Sequence, residues 1–432
     1  MKAVIMAGGK GTRIAEVAKD IPKPMIPVLG KPVLEYQIRS LTAGGVQDIT
    51  LVIGHLGDAI RNYFGDGAAF GARIRYIAEE KPLGTAGALF YLKEELKEDF
   101  LLLFGDLMLD VDWERFMAFH KEHGAKVTLF AHPNTHPADS DLIVTDADDR
   151  VLRIEPKNAE RDFWYHNLTN AGIYCVSPEA LRAIEAPEKV DLERGIIVPL
   201  ISEGGVFAYR STEYVRDMGT PDRLERVVSD TREGIVSGRS LRNPQRAVFL
   251  DRDGTLNELR GFLRHAEELE LIPGAAEAVR ELNRSPYLVI VVTNQPVLAR
   301  GECSFEEMDR IHRKLETLLG KEGAYLDALY LCPHHPDKGF PGEVPELKIR
   351  CNCRKPQPGM LLQAAERYHI SLEDSWMIGD STADVQVGVN AGTRTILLGT
   401  GEGGADGKYA AEPTLRADDL GAAVQAILSP AL

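Results

Sequence analysis

The 432 residues contain no apolar run approaching the roughly 18–20 that span a bilayer. The first apolar stretch is cut at Gly8 and Gly9, so the sequence predicts neither a membrane protein nor a secretory leader. Cysteine is scarce: five thiols in a chain of this length make no disulfide framework, and three of them crowd into one short window, which points to metal ligands. Basic residues are outnumbered, 50 against 65 acidic ones, and a formal charge of -15 supplies no surface for nucleic acid or an anionic membrane. A polyanionic ligand must therefore meet positive groups placed locally. Together these absences predict a cytoplasmic protein whose partners are small molecules.

What is present, 44% hydrophobic residues with both signs of charge, suffices for sizeable cores, and the length predicts two domains. Short aliphatic runs ("KAVIM", "DITLVI", "RIRYIA", "FLLLFGD", "AKVTLF") alternate with helical patterns such as "PVLEYQIRSLTAGG" and "TAGALFYLKEELK". A second series then starts afresh: "AVFLD", "YLVIVVTN", "ALYLC", "SWMIGD", "TRTILL". Between them, at 238–245, Arg, Asn, Pro and Gln mark a linker. The rhythm predicts an α/β protein of two doubly wound, Rossmann-like domains, 1–238 and 246–432. No internal repeat or low-complexity tract interrupts it.

In "AGGKGTR", Gly8, Gly9 and Gly11 permit a tight turn whose N–H groups face an anion, and Arg13 adds fixed charge. Such a turn is by itself a common structural device. Its meaning comes from the motifs downstream of it: "PKPM" at 22–25, "EKPLGTAGAL" at 80–89, "FGD" at 104–106, "NAGIY" at 170–174 and "RDMGTP" at 216–221. Over about residues 1–230 this set resembles the sugar-1-phosphate nucleotidyltransferases, mannose- and heptose-1-phosphate guanylyltransferases above all. The resemblance implies that Gly8, Gly9, Gly11, Thr12 and Arg13 hold a nucleoside triphosphate and that Lys23 neutralises charge near the reacting phosphorus. It places Gly84 and Thr85 near nucleotide and sugar, and Asn170 and Gly172 at the sugar phosphate. Asp106 and Asp217 match the carboxylates that hold Mg²⁺ there, consistent with two anions being brought together. His55 reads as structural. The family's "PLT" after the arginine is absent, and its "EKP" stands here as "EPK", with Glu155 and Lys157.

In "DRDGT", Asp251 and Asp253 alternate on a strand that turns at Gly254, so both carboxylates can face one pocket, where one can act as nucleophile and the other as acid or base. "VTNQ" at 292–295, "CRKP" at 353–356 and "GDSTAD" at 379–384 come after it in order. Over about 246–400 these motifs resemble the haloacid-dehalogenase superfamily. The resemblance implies attack on phosphorus by Asp251, proton transfer by Asp253, phosphoryl contacts from Thr293 and Asn294, and a steadying Lys355. It also implies Mg²⁺ held by Asp251, Asp380 and the carbonyl of Asp253, supported by Asp384. Between the second and third motifs, Cys332, His334, Cys351 and Cys353 give C-x-H then C-x-C, a closed tetrahedral set suited to structural Zn²⁺, with His335 a competing ligand. Cys175 and Cys303 read as ordinary thiols.

Such a zinc loop resembles that of heptose-bisphosphate and histidinol-phosphate phosphatases. The heptose-type "TNQSG" stands here as "TNQPV", and Arg300 and Arg354 are the candidates for a distal phosphate. Phosphatase and nucleotidyltransferase in one chain make sense as consecutive steps. The bisphosphate of D-glycero-D-manno-heptose would lose its C7 phosphate, and the remaining 1-phosphate would take GMP from GTP, giving a GDP-heptose of the α anomer. The alternative is a mannose-1-phosphate guanylyltransferase fused to a histidinol-phosphate-type phosphatase.

Overall fold

The computed structural model describes residues 1–9, 21–157 and 160–429, so the expected nucleotide ligands Gly11, Thr12 and Arg13 lie outside the described residues. The chain divides into two compact units: 1–132, 141–156 and 169–242 form the first, while 133–140, 157–168 and 243–432 form the second. Two segments from the sequence's first half thus belong with the second unit, which the hydrophobic rhythm alone does not reveal.

The first unit is built on strands β1 (Lys2–Met6), β2 (Asp48–Ile53), β3 (Arg73–Ala78), β4 (Phe100–Phe104), β5 (Leu107–Leu109), β6 (Val127–His132), β7 (Leu142–Thr145), β8 (Val151–Glu155), β9 (Thr169–Val176), β10 (Val206–Arg210) and β11 (Val215–Asp217). Its nine-stranded sheet runs β8-β7-β9-β4-β1-β2-β3, with β6 joining β9 to β10. β1 is parallel to both β2 and β4, and its Ala3, Val4 and Ile5 are fully buried, as a central strand covered on both faces requires. Because the chain winds outward from β1 to β3 and resumes at β4 on β1's other side, a crevice opens beyond the carboxyl ends of β1 and β4. Helix α1 (Val33–Ala43) buries Leu34, Ile38 and Leu41, one apolar stripe at helical spacing. The helix-like "TAGALFYLKEELK" yields only a 3₁₀ turn, Gly87–Leu92, because the chain before it is tied to a distant strand-like segment through Ala86 N–H to Val190 O (3.1 Å) and Val190 N–H to Leu83 O (3.0 Å).

The second unit carries a six-stranded, wholly parallel sheet, β12 (Arg246–Leu250), β13 (Tyr287–Asn294), β14 (Ala328–Cys332), β15 (Trp376–Gly379), β16 (Arg394–Leu398) and β17 (Leu415–Ala417), in the order β14-β13-β12-β15-β16-β17. Its switch point lies between β12 and β15, where Asp251 N–H donates to Ile378 O at 2.9 Å. Helix α2 (Phe305–Lys321) covers one face, capped by the Ser304 hydroxyl accepting from Glu307 N–H, and buries Met308, Ile311, His312 and Leu315. The sequence expectation of a doubly wound α/β fold holds in both units.

Candidate active sites

At the first switch point lies a cavity of 490 Å³ lined by Gly8, Gly9, Lys23, Glu79, Thr85 and Asp106 among others. Gly8 stands close to Glu79, whose carboxylate would have to shift for a Cβ, 2.6 Å away, and 3.3 Å separates that Cβ position from Gly54 N, whereas Gly9 faces open space. Lys23 sits in a proline-flanked 3₁₀ turn, Lys23–Met25, and its ammonium pairs with Asp106, the residue two beyond β4. The Asp106 carbonyl accepts from Met218 N–H at 3.1 Å, and β11 pairs with β5 so that Asp217 stands opposite Leu107. Two carboxylates far apart in sequence thereby meet one lysine. Burial works to raise the Asp217 pKa, but Arg223 (2.6 Å), Gly219 N–H (2.8 Å) and Lys23 outweigh it and leave it lowered.

Gly84 adopts φ +79° and its backbone bridges Val190; a side chain there would strike the Val190 carbonyl. Thr85 Oγ1 accepts from Leu192 N–H at 2.7 Å, which fixes the cavity wall. Asn170 donates to Tyr174 Oη (2.9 Å) and accepts from Gly172 N–H (3.0 Å), at a bulge in β9 where Gly172, φ +77°, lies against the cavity residue Phe104. Glu155 ends β8 beside Arg153, while Lys157 falls in the segment that belongs to the second unit. Sequence reasoning missed Glu79, which lines the cavity and whose pKa burial raises; the only signal was its place at the start of "EEKPLG".

The second site is more deeply sunk. Lys355 Nζ lies 2.7 Å from Asp251 and 2.6 Å from Asp384, and oxygens of Asp251, Asp380 and Asp384 all lie within 4.8 Å of one another. Burial raises the Asp251 pKa; Lys355 opposes it, while the neighbouring carboxylates reinforce it. Asp380 is pushed up to about 6, again mainly by burial. Three carboxylates against one ammonium form an anionic, oxygen-lined pocket, the donor set a hard divalent cation takes. The loop after β16 closes on it: Glu402 N–H donates to Asp380 Oδ2 (2.7 Å) and Gly404 N–H to the Asp380 carbonyl (2.8 Å). Gly254 and Gly401 both press on Asp380 with no room for a Cβ.

Asp253 is held differently. Arg252, fully buried, forks it through Nη2 to Oδ1 (3.0 Å) and Oδ2 (2.8 Å), and Asn257 (2.9 Å) and Gln295 (2.8 Å) complete its shell. Burial alone would raise its pKa, yet these donors keep it lowered. Thr293 is buried and its hydroxyl accepts from Gln295 at 2.9 Å, while the Asn294 amide clamps the backbone of Lys355 at both N–H (3.0 Å) and carbonyl (3.2 Å). Arg252 and Gln295 were missed in the sequence, where each reads as filler between motif residues.

Cys332, His334, Cys351 and Cys353 come together within 4.8 Å, with Cys351–Cys353 Sγ at 3.2 Å and His334 Nδ1 to Cys353 Sγ at 3.3 Å. The His335 ring turns instead towards Phe340. Four soft-to-borderline ligands at tetrahedral-edge spacing fit a closed metal site. Arg354, next in sequence, donates to the His334 carbonyl at 3.2 Å, and Arg300 lies between the Phe262 and Phe340 rings, 4.6 Å from each, with a buried Nε that has no partner among the described residues. No helix among the described residues is long and apolar enough to cross a membrane.

The Nucleotidyl transferase family model matches residues 2–234, and the HAD-hydrolase-like model matches 352–423. The mannose-1-phosphate guanylyltransferase of Mycobacterium tuberculosis is 32% identical over 255 residues, 58% of this chain and 70% of that one. The D-glycero-beta-D-manno-heptose-1,7-bisphosphate 7-phosphatase of Escherichia coli K12 is 40% identical over 158 residues, 36% of this chain and 80% of that one. A crystal structure of D,D-heptose 1,7-bisphosphate phosphatase from B. bronchiseptica with magnesium and phosphate is 33% identical, covering 43% of this chain and 98% of the other at a TM-score of 0.38.

Proposed function

The chain belongs to the nucleotidyl transferase family and joins to it a HAD-like phosphatase, a premise from which we propose that the two halves act in succession on one sugar. The second half removes the C7 phosphate of D-glycero-D-manno-heptose 1,7-bisphosphate. The first half then transfers GMP from GTP to the heptose 1-phosphate and releases pyrophosphate. The observation that carries this reading is the fusion itself: a likeness covering 80% of a heptose-1,7-bisphosphate 7-phosphatase is joined to one covering 70% of a mannose-1-phosphate guanylyltransferase, so the first leaves a sugar 1-phosphate and the second is of the kind that takes one as acceptor.

In the second half, an Asp251 oxygen attacks phosphorus as the bond to the C7 oxygen breaks, and Asp253, whose donors favour its ionised form in the resting site, must take up a proton as substrate binds in order to supply the one that the leaving oxygen needs. Water then displaces Asp251 from the aspartyl phosphate, with Asp253 taking its proton. Lys355 keeps Asp251 oriented and offsets charge on the transferred group. Thr293 and Asn294 border the phosphoryl position, and Arg300 and Arg354 grip the distal phosphate. Asp251, Asp380 and the carbonyl of Asp253 would hold Mg²⁺, which when bound supplies charge neutralisation of the phosphoryl group. Cys332, His334, Cys351 and Cys353 would hold Zn²⁺, fastening the loop that carries Arg354 and Lys355.

In the first half, Gly8, Gly9, Gly11, Thr12 and Arg13 cradle the triphosphate, Gly84 and Thr85 adjoin nucleotide and sugar, and Asn170 and Gly172 take the sugar phosphate. Lys23 leaves Asp106 for the reacting phosphate, and Asp106 with Asp217 would hold Mg²⁺, which supplies the same neutralisation there. The chain works in the cytoplasm, with the transferase in 1–132, 141–156 and 169–242 and the phosphatase in 243–432 together with segments 133–140 and 157–168. The test supplies each anomer of heptose bisphosphate with each of four nucleoside triphosphates and follows phosphate and pyrophosphate separately. Phosphate from the bisphosphate followed by pyrophosphate with GTP is the expected result. Phosphate from histidinol phosphate, and pyrophosphate only with mannose 1-phosphate, would overturn it.

A further inference from the structure

Arg252 lies in the turn that follows β12, its carbonyl accepting from Leu256 N–H at 2.9 Å. Its guanidinium returns to Asp253, since Nε and Nη2 both reach that carboxylate, and Nη1 remains over. The spare nitrogen points at α2, where it meets His312 Nε2 at 3.2 Å and Met308 Sδ at 3.4 Å, side chains one helical turn apart on one face. An arginine can only donate, so His312 Nε2 has to accept, which fixes the imidazole as neutral with its proton on Nδ1. Burial, followed by the nearby Arg252 charge, also depresses the His312 pKa to about 3. The result is a buried relay from helix to strand: His312 holds Arg252, and Arg252 holds both oxygens of Asp253.

We infer that His312 is a positioning residue of the phosphatase, setting the orientation of the Asp253 carboxylate through the buried fork of Arg252. The inference rests on the reading of Asp253 as the proton donor to the leaving oxygen. Without His312, the buried guanidinium loses the stronger of the two acceptors that Nη1 meets, Met308 sulfur being the other, and the fork is held less firmly in rotation. A proton donor that is misaimed matters only where the leaving group needs a proton. A leaving group that departs as a stable anion does not register the change.

The experiment compares kcat/KM, which reports the steps through aspartyl-phosphate formation, on a sugar bisphosphate and on p-nitrophenyl phosphate, whose phenolate leaves unprotonated. For His312→Phe we expect a loss of about 10- to 100-fold on the sugar phosphate and under about 3-fold on the aryl phosphate, a part of the roughly 10²- to 10⁴-fold that a general acid contributes. His312→Gln, which retains an acceptor, recovers most of the sugar-phosphate rate. Arg252→Lys, which keeps the charge but removes the fork, reproduces the selective loss and serves if the phenylalanine variant does not fold. Equal losses on both substrates, or none on either, would overturn the inference. Asp253→Asn run alongside separates the two layers: if it shows no leaving-group selectivity, the reading of Asp253 itself fails, and if it does while the His312 and Arg252 variants do not, only the relay fails.

Discussion

In the first site the ionic partners stand partly in solvent, Lys23 and Asp106 at 13% and 27% side-chain exposure, whereas in the second Lys355 and Asp384 stand at 3% and 1%. A pair of the first kind, open to water on one side, leaves less behind when it parts than a fully buried one, so a triphosphate can separate it the more readily. Removing one partner of the second kind costs about 3–5 kcal/mol, because the other charge is left buried. One site is therefore completed by its ligand, and the other stands assembled before the ligand arrives. The difference follows from size: a nucleotide and a sugar need an open cavity of 490 Å³, while a single phosphoryl group needs only a pocket of fixed charges.

The strongest way to break the comparison is Asp251→Asn. It removes the proposed nucleophile from the assembled site and is expected to lower phosphate release by about 10⁴-fold or more while nucleotidyl transfer to heptose 1-phosphate continues, as separate phosphate and pyrophosphate assays can read. Loss of both reactions in a folded protein would mean that the two sites are not independent. Lys23→Ala is the mirror experiment. We expect about 10²- to 10³-fold slower pyrophosphate release with phosphate release unchanged, the scale on which one charge-stabilising group acts.

Smaller effects sharpen the contrast. Cys351→Ser should remove one metal ion per chain by elemental analysis and slow the phosphatase by about 10-fold, as when a metal's supporting residues are altered, while the transferase keeps its rate. Last comes a pH effect confined to the second unit. His166 stands 2.8 Å from both Asp309 and Glu316; burial works to lower its pKa, but the two carboxylates raise it to about 9 from 6.5. A raised folded-state pKa gives stability that is fully present below 6.5 and lost as pH rises through 9. Thermal inactivation of the phosphatase should accelerate across that window, and His166→Gln should flatten the dependence.

The sequence made both strand series, the DxD turn and the Cys/His cluster legible because each depends on local spacing: period two along strands, C-x-H and C-x-C across a loop. Spacing prefers His334 and leaves His335 as a competing ligand, and the fold separates them by bringing His334 to the three cysteines and turning the other ring onto Phe340. Arg252 and Gln295 stand inside the motifs, yet their roles were not legible, since these depend on a fork and an amide reaching Asp253 that only the folded chain brings about. Glu79 was hidden for a similar reason: only the fold puts it beside Gly8. Gly254 reads as a turn residue and Gly401 carries no reading, yet their lack of a Cβ is what lets two loops close on Asp380.

Segments 133–140 and 157–168 have a practical corollary for anyone cutting the gene at the obvious seam. A fragment beginning at Asn243 would carry every phosphatase motif but not Tyr165, whose backbone N–H and carbonyl both engage Thr317, nor Trp164, which lies under Arg310 and Lys314. One flank of α2 would then be stripped to water, and the truncated piece would be the less soluble product of the dissection.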